Sequence, residues 1–224
     1  MTPDEFEKAL RAVGVNRYHH LHPFHVRMHA GELSPEQIRT WVTNRFYYQR
    51  NIPIKDAAII SNCPERDVRR QWLHRIVDHD GREGTQGGIE AWLRLAEGVG
   101  LDREKVLAGE GLLPGVRFAV DAYVNFARTE PWPVAVASSL TELFAPDIMA
   151  TRLAAFREHY QWVPDWAFDY FNSRVTQARV DSNEGLALTM RWCDTPGLQQ
   201  RAVDALKFKC ELLWSLLDAI DAAA

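Results

Sequence analysis

Residues 34–60 read SPEQIRTWVTNRFYYQRNIPIKDAAII, and the pattern in this stretch decides the fold class. Ser34 supplies a hydroxyl cap, a proline occupies the first helical position, and Gln37 completes a capping box three residues after the cap. Apolar residues then recur at steps of three and four, which predicts one long helix. Pro53 falls inside the pattern, and we predict a kink there because proline lacks a backbone donor and its ring crowds the preceding turn.

The same periodicity runs through the rest of the chain, and no sustained alternation of period two interrupts it. A second capping box lies at Thr2-Pro3-Asp4-Glu5. Glycines at positions 31, 100 and 115 stand where helices should stop or turn. The sequence therefore predicts an all-α protein, a compact bundle of about seven helices. Further helix starts are predicted near Pro23, Pro64, Asp102, Pro133, Pro164 and Thr195.

The length and composition of the chain indicate an ordinary globular protein. It has 224 residues, of which 46% are hydrophobic and 25% are charged, and we predict a single helical domain over residues 1–224. No apolar run approaches the roughly 18 to 20 residues that a membrane span needs. The acidic start MTPDEFE is unlike a signal peptide. We therefore expect a cytoplasmic protein with no membrane partner.

Charge and cysteine content exclude several classes of function. The 26 basic and 30 acidic residues give a net charge of -4 and are mixed along the chain, so we expect no nucleic-acid partner. Cys63, Cys193 and Cys210 are odd in number and far apart. This spacing favours idle thiols over a disulfide framework or a zinc site.

Polar residues on apolar helical faces are the most informative feature of the sequence. In the helix that begins after Ser34, Arg45, Tyr48, Gln49 and Lys55 follow steps of three and four beside Trp41 and Ile52. Burying such groups without partners would be costly, so they could mark a ligand pocket. The alternative is an amphipathic boundary on which Arg45 and Lys55 extend their charges to water.

Two further stripes have the same character. Arg75 precedes His79 by one turn, and a neighbouring cation favours the neutral, proton-accepting form of an imidazole. Tyr170, Arg174, Gln177 and Asp181 share a face in a later helix. Each stripe alone could be a solvated surface. Together they would form a pocket with several fixed cations, suited to a small ligand that carries several carboxylates.

Residues 18–29 read YHHLHPFHVRMH and are rich in histidine. His22, His25 and His29 have helical spacing, so a metal site is one interpretation. The chain contains no Glu-x-x-His pair and no His-Glu-x-x-His motif, which removes the usual signatures of di-iron and zinc sites in helical proteins. A histidine-lined substrate pocket is the interpretation we favour, with no metal ligands.

The segment at 81–88, GREGTQGG, is the loop with the most glycine. It follows a helical pattern, whereas a dinucleotide or phosphate-binding loop would follow a strand. We predict a mobile turn over a pocket.

Several long motifs in the chain resemble those of the pyrroloquinoline quinone synthase (PqqC) family. The similarity extends in register from about Phe6 to Leu217. The motifs are RFYYQ at 45–49, KDAA at 55–58, DHDG at 78–81, LPGVRFAVDAY at 113–123, SSLTELFAP at 138–146, and FK at 208–209.

The resemblance implies a haem-oxygenase-like bundle, a homodimer, and a single catalytic domain. It also implies an enzyme that closes the rings and completes the oxidation of pyrroloquinoline quinone (PQQ) with O2, releasing hydrogen peroxide, from a bicyclic polycarboxylate precursor and without metal or organic cofactor. By motif match, the pocket residues would be His19, Arg45, Tyr48, Gln49, Lys55, Arg75, His79, Tyr123, Glu142, Tyr170, Arg174 and Lys209.

Roles can be assigned within this set as a hypothesis. His79 would act as general base and acid, and Tyr170 with Arg174 would stabilise charge on reduced oxygen. The remaining residues would bind substrate, with carboxylates held by Arg45, Lys55, Arg75 and Lys209.

Position 149 departs from the family pattern, in which a histidine follows the motif at 138–146. This chain has Met149, which can neither transfer a proton nor donate a hydrogen bond. The later oxidation steps could therefore be slower or incomplete.

Two alternatives stay open: a thiaminase-II-like hydrolase of the same helical class, and a non-catalytic protein that binds the quinone or its precursor.

Overall fold

The computed structural model describes residues 1–223, apart from the side chains of residues 145–147 and 175–182. Within this range the chain forms helices and turns and no β-strand, and its one β-bridge joins Arg82 to Thr85. The α-helices are α1 Pro3–Arg17, α2 Pro23–His29, α3 Pro35–Asn62, α4 Arg66–Asp80, α5 Gly88–Gly98, α6 Arg103–Ala108, α7 Pro114–Thr129, α8 Trp132–Ser138, α9 Ala145–His159, α10 Asp169–Trp192 and α11 Pro196–Asp221. Three short 3-10 helices span His19–Leu21, Ser139–Leu143 and Asp165–Phe168.

The all-α class is confirmed, but the expected number of about seven helices is too small. Eleven α-helices occur in residues 1–223. Three of them, α2, α6 and α8, have only six or seven residues. The sequence predicts starts for these three short helices, near Pro23, Asp102 and Pro133. It predicts no start for α5, α7 and α9, and none of those three helices has a side-chain cap at its N-terminus.

Both predicted capping boxes are present. The Ser34 side chain accepts from the backbone N–H of Gln37 at 3.2 Å, and the Gln37 side chain accepts from the backbone of Ser34 at 2.9 Å. Thr2 and Glu5 make the same pair of bonds at the start of α1. The long helix α3 continues through Pro53 to Asn62, as predicted, and does not end at the proline.

The core is built around α3, which packs against α4, α5 and α7. Its Trp41 meets Trp92 of α5 edge to face, with 5.3 Å between ring centroids, and Phe156 of α9 at 6.3 Å. All three rings are buried. Large aromatic rings therefore fill the core on this side of α3.

The glycine-rich loop joins α4 to α5 and closes tightly on the end of α4. Gly81 has φ of +83°, and a Cβ atom there would approach the backbone nitrogen of Gly87 to 2.8 Å. A Cβ atom on Gly87 would lie 2.4 Å from the carbonyl oxygen of His79. Both positions therefore require glycine. A helix precedes this loop. Phosphate-binding loops of the dinucleotide and P-loop types follow a β-strand, so this loop does not have their structure.

Among the described residues, no helix combines the length and apolar character needed to cross a membrane.

Candidate functional site

A cavity lies at the polar end of α3, and its empty space, together with the adjoining open solvent, amounts to about 580 Å³. Side chains from α3, α4, α7, α9, α10 and α11 reach it, together with the 3-10 helix Ser139–Leu143. The lining residues are Tyr18, Arg45, Tyr48, Ile52, Lys55, His79, Tyr123, Ser139, Thr141, Glu142, Met149, Tyr170, Arg174 and Leu213.

The structure brings the predicted site residues together at this cavity. Eight of the twelve line it: Arg45, Tyr48, Lys55, His79, Tyr123, Glu142, Tyr170 and Arg174. The other four contact lining residues from behind: His19, Gln49, Arg75 and Lys209. The three polar stripes therefore converge, and the interpretation of each as a separate solvated face is wrong because nearly all of these side chains are buried or partly buried.

Lys55 and Arg75 form a buried ion-pair network with two acids. Lys55 Nζ donates to Asp56 Oδ1 at 2.5 Å and to the hydroxyl of Ser139 at 3.0 Å. Arg75 pairs with Glu142, and its Nε lies 3.7 Å from Asp56 Oδ1. Burial lowers the pKa of Lys55, although Asp56 opposes this shift. The charge of Lys55 thus depends on its acidic neighbour.

Lys209 lies behind the cavity wall. Its Nζ is 3.3 Å from the ring centroid of Tyr123 and 4.1 Å from that of Tyr48, and the two rings are parallel. Nζ has no hydrogen-bond partner among the described atoms. Burial, with Arg45 and Lys55 nearby, holds the pKa of Lys209 well below its usual range. In this structure Lys209 reaches the cavity only through the two tyrosine rings.

His79 is held in one tautomer at the cavity wall. Its Nδ1 lies 2.9 Å from the carbonyl oxygen of Arg75, one turn back along α4. A carbonyl oxygen can only accept, so Nδ1 carries the proton and Nε2 keeps its lone pair. Burial, with Arg174 nearby, lowers the pKa of His79 to about 4. The side chain is therefore a neutral proton acceptor at pH 7.

Tyr170 and Arg174 lie one turn apart on α10. The hydroxyl of Tyr170 accepts from Gln49 Nε2 at 2.8 Å, and its ring stands edge to face on Trp92 with 4.8 Å between centroids. Arg174 Nη2 lies 3.8 Å from Glu142 Oε1. Because Gln49 supplies the proton of that bond, the Tyr170 hydroxyl proton is available to a group in the cavity. Gln177 and Asp181, predicted on the same stripe, have side chains outside the described part.

Histidines of the histidine-rich segment hydrogen-bond to neighbouring protein groups. His22 accepts from the backbone N–H of Phe24 through Nδ1, and its Nε2 lies 3.0 Å from Asp218. His25 Nδ1 bonds the carbonyl oxygen of His19 at 3.0 Å. Within the described residues, no three histidine, cysteine, aspartate or glutamate side chains are grouped as metal ligands. Burial holds the pKa values of His19 and His25 well below the usual range.

Several residues at the site were not among those predicted. Tyr18, Ser139, Thr141 and Leu213 line the cavity. Ser139 and Thr141 belong to a motif that could have indicated them, whereas Leu213 carries no chemical signal. Asp56 was not among the predicted pocket residues. Adjacent residues in a helix normally point to different faces, so the sequence did not indicate that Asp56 contacts Lys55.

Arg152 on α9 is a further buried cation that sequence spacing did not indicate. Its Nη2 lies 3.3 Å from His25 Nε2, and its guanidinium is 5.3 Å from the ring of Trp41. Burial, together with Arg45, lowers the pKa of Arg152 to about 10. Arg152 therefore remains positive at pH 7 and adds to the positive potential of this region.

Comparison with known proteins identifies relatives over nearly the whole chain. The model of the TENA/THI-4/PQQC family matches residues 7–219. A pyrroloquinoline-quinone synthase of Cronobacter sakazakii is 59% identical over 223 residues, covering 100% of this chain and 88% of that protein. One of Pseudomonas aeruginosa PAO1 is 59% identical over 220 residues, covering 98% and 87% respectively.

Solved structures of low sequence identity show the fold. A heme oxygenase-like domain of unknown function from Shewanella denitrificans superposes with a TM-score of 0.78 at 14% identity, covering 98% of this chain and 90% of that one. A TenA homologue from Pseudomonas syringae pv. tomato gives 0.77 at 12% identity, covering 98% and 92%. The expected haem-oxygenase-like architecture is confirmed.

The protonation state of His79 can be measured directly. We expect its imidazole to stay neutral, with the proton on Nδ1, from pH 8 down to about pH 5, because its pKa is lowered to about 4. Stability should fall as pH drops from about 6.5 towards 4, since the unfolded histidine binds a proton in that window and the folded one does not. Long-range proton–nitrogen NMR correlations, assigned by comparison with His79→Gln, report the tautomer. A ring that titrates near pH 6.5 would contradict this prediction.

Proposed function

The chain belongs to the TENA/THI-4/PQQC family. We propose that it converts a precursor into PQQ, by closing the rings and completing the oxidation with O2 as the electron acceptor. The identity of 55–59% to proteins named pyrroloquinoline-quinone synthase supports a role as an oxidoreductase of PQQ biosynthesis. The observation that carries the proposal is the cavity itself. A neutral histidine, several cationic side chains and several tyrosines line it together.

The substrate in this proposal is a bicyclic precursor with several carboxylates. Arg45, Lys55 and Arg174 line the cavity and would hold those carboxylates through charge-assisted hydrogen bonds. Arg75 supports the same wall through its pair with Glu142. Arg45 also lies 3.9 Å from the ring centroid of Tyr48, which restrains its guanidinium. Lys209 would contribute through the Tyr48 and Tyr123 rings, so a direct contact with substrate is not part of the proposal.

The chemistry assigned to the residues follows from their protonation states. His79 Nε2 accepts a proton from the electron-rich precursor. The precursor then gives two electrons to one O2, and two protons complete hydrogen peroxide. One is the proton that His79 accepted, which restores the neutral base; the other comes from the Tyr170 hydroxyl, and solvent returns it to Tyr170. Arg174 stabilises the negative charge on reduced oxygen, which is worth about 3 kcal/mol for one fixed donor. The precursor supplies the electrons, so this scheme uses neither metal nor organic cofactor.

A hydrolase of the thiaminase-II type would need an activated cysteine, and the described cavity wall has none. Cys63, Cys193 and Cys210 are unpaired and buried elsewhere. Burial raises the pKa of Cys193 to about 11 and that of Cys210 to about 12, so the thiolate is scarce at pH 7. The oxidase is therefore the better-supported function.

We further propose a cytoplasmic homodimer that acts without a nucleic-acid or membrane partner. The three unpaired cysteines suit a reducing compartment. The mixed charges and net charge of -4 give no basic surface for nucleic acid.

Turnover without metal tests the proposed function. Purified protein treated with a chelator and mixed with the bicyclic precursor in air should consume O2, release hydrogen peroxide and develop quinone absorbance. Boiled protein is the control for spontaneous oxidation. Precursor binding without O2 uptake would favour a storage protein, and turnover that needs added iron would overturn the cofactor-free mechanism.

Two substitutions should separate binding from chemistry. Arg45→Ala should raise KM about 10- to 100-fold with little change in kcat, because a charge-assisted bond contributes ~1.5–3 kcal/mol to binding. His79→Ala should lower kcat by about 10²- to 10⁴-fold with little change in KM, because a general base acts on the chemical step. Steady-state O2 uptake gives both constants. The opposite distribution of effects would overturn the assigned roles.

Met149 allows a test by gain of function. It is buried in the cavity wall, where the family resemblance places a histidine. Met149→His should speed the appearance of the final quinone after the first O2 is consumed, because imidazole can donate a proton to reduced oxygen. Met149→Leu is the matched apolar control and should behave as the native protein. Equal rates of quinone formation in all three proteins would show that position 149 does not limit the later steps.

A further inference from the structure

Asp56 is the most completely buried acid at the site, yet it does not line the cavity. Its Oδ1 accepts from Lys55 Nζ at 2.5 Å and from Trp72 Nε1 at 2.8 Å. The Trp72 bond fixes the carboxylate from the side of α4. Trp72 in turn lies beneath Arg75, whose guanidinium carbon is 4.3 Å from its ring centroid. Asp56 thus links α3 to α4 directly behind the two cations Lys55 and Arg75.

Lys55 is surrounded by few groups that can balance its charge. Glu142 faces it from the 3-10 helix Ser139–Leu143 but is already paired with Arg75 and near Arg174. Arg75 of α4 adds positive charge, Lys209 of α11 lies nearby with a lowered pKa, and Tyr123 of α7 offers a ring face at 5.6 Å. His79 lies near Asp56 and is neutral. Among the described residues, Asp56 is the carboxylate that hydrogen-bonds to Lys55.

We propose that Asp56 is a positioning residue that keeps Lys55 charged and aimed at the cavity, so that the site holds a polycarboxylate ligand throughout the neutral pH range. This inference rests on the proposed function, since it concerns the same substrate. Asp56 touches no ligand itself and acts through Lys55.

The protonation states of the pair support this role. Burial would raise the pKa of Asp56, but Lys55 and Arg75 bring it below its usual value, so Asp56 stays ionised. Burial lowers the pKa of Lys55, and the Asp56 charge counteracts that shift. Without the Asp56 carboxylate, burial and Arg75 both lower the pKa of Lys55, and the main opposing charge is gone. The ammonium then loses its proton at a lower pH, and its attraction for a carboxylate is lost with it.

The test measures the binding of PQQ itself by quenching of tryptophan fluorescence between pH 6 and pH 8. The native protein should bind with nearly constant Kd across this range. Asp56→Asn should bind at least 10-fold more weakly at pH 8 and recover most of that loss at pH 6, where Lys55 is protonated again. Asp67→Asn makes the same change of charge at an exposed site on α4 and should match the native protein. A loss in Asp56→Asn that is equal at every pH would indicate a merely structural role and overturn the inference.

A second comparison decides the inference even if Asp56→Asn alone does not fold. Lys55→Met removes the cation through which Asp56 acts, and the double variant Lys55→Met with Asp56→Asn removes the pair together. If Asp56 acts through Lys55, the two variants should have Kd values within twofold of each other at every pH. A further loss of 10-fold in the double variant would show that Asp56 acts by another route.

The outcomes also separate the two proposals. If the native protein does not bind PQQ, the proposed function fails. If the native protein binds PQQ and Asp56→Asn matches it at pH 8, only the role of Asp56 fails.

Discussion

The burial of several cations inside one helical core is the constraint on which this structure depends. Lys55, Arg75, Arg152 and Lys209 are all at most 2% exposed. Each would be expensive to bury alone. The protein offsets that cost in different ways: carboxylates for Lys55 and Arg75, and a neutral imidazole and an indole face for Arg152. Lys209 packs on two phenol rings, and burial holds its pKa well below its usual range. The result is a cavity that is lined by fixed positive charges before any ligand enters.

This electrostatic arrangement also explains the state of the histidines. An imidazole beside buried cations cannot hold a second proton cheaply, and burial acts in the same direction. His79, His19 and His25 are therefore proton acceptors at pH 7. Only His79 also lines the cavity and has its tautomer fixed by a backbone carbonyl. In the proposed mechanism, the same buried cations therefore favour both a neutral base and the binding of an anionic ligand.

Much of the fold and part of the site could be predicted from sequence because helical periodicity is local. Arg45, Tyr48 and Lys55 share a face at steps of three and four, and the structure places all three at the cavity. Tertiary packing decides the rest. Whether Lys209 lies on the cavity wall or behind it depends on two rings from α3 and α7, and sequence spacing within α11 carries no information about them. The starts of α5, α7 and α9 were not predicted, because none of these helices carries the side-chain cap that marks a helix start in sequence.

Met149 lies where the apolar core meets the cavity. Met149 packs in the same apolar cluster as Phe171 and Trp92 and still lines the cavity. Methionine fits such a mixed site without strain because its side chain is flexible and apolar. Methionine cannot supply a proton, so in the proposed mechanism Tyr170 and solvent supply it.

The most direct measurement is a crystal structure of the protein with PQQ bound. The ligand should lie in the cavity with its carboxylates within hydrogen-bond distance of Arg45 and Lys55, and with His79 and Arg174 on the same ring system. A ligand bound elsewhere, or carboxylates that face the tyrosine rings while the cations remain paired only with protein acids, would contradict the assignment of this cavity as the active site.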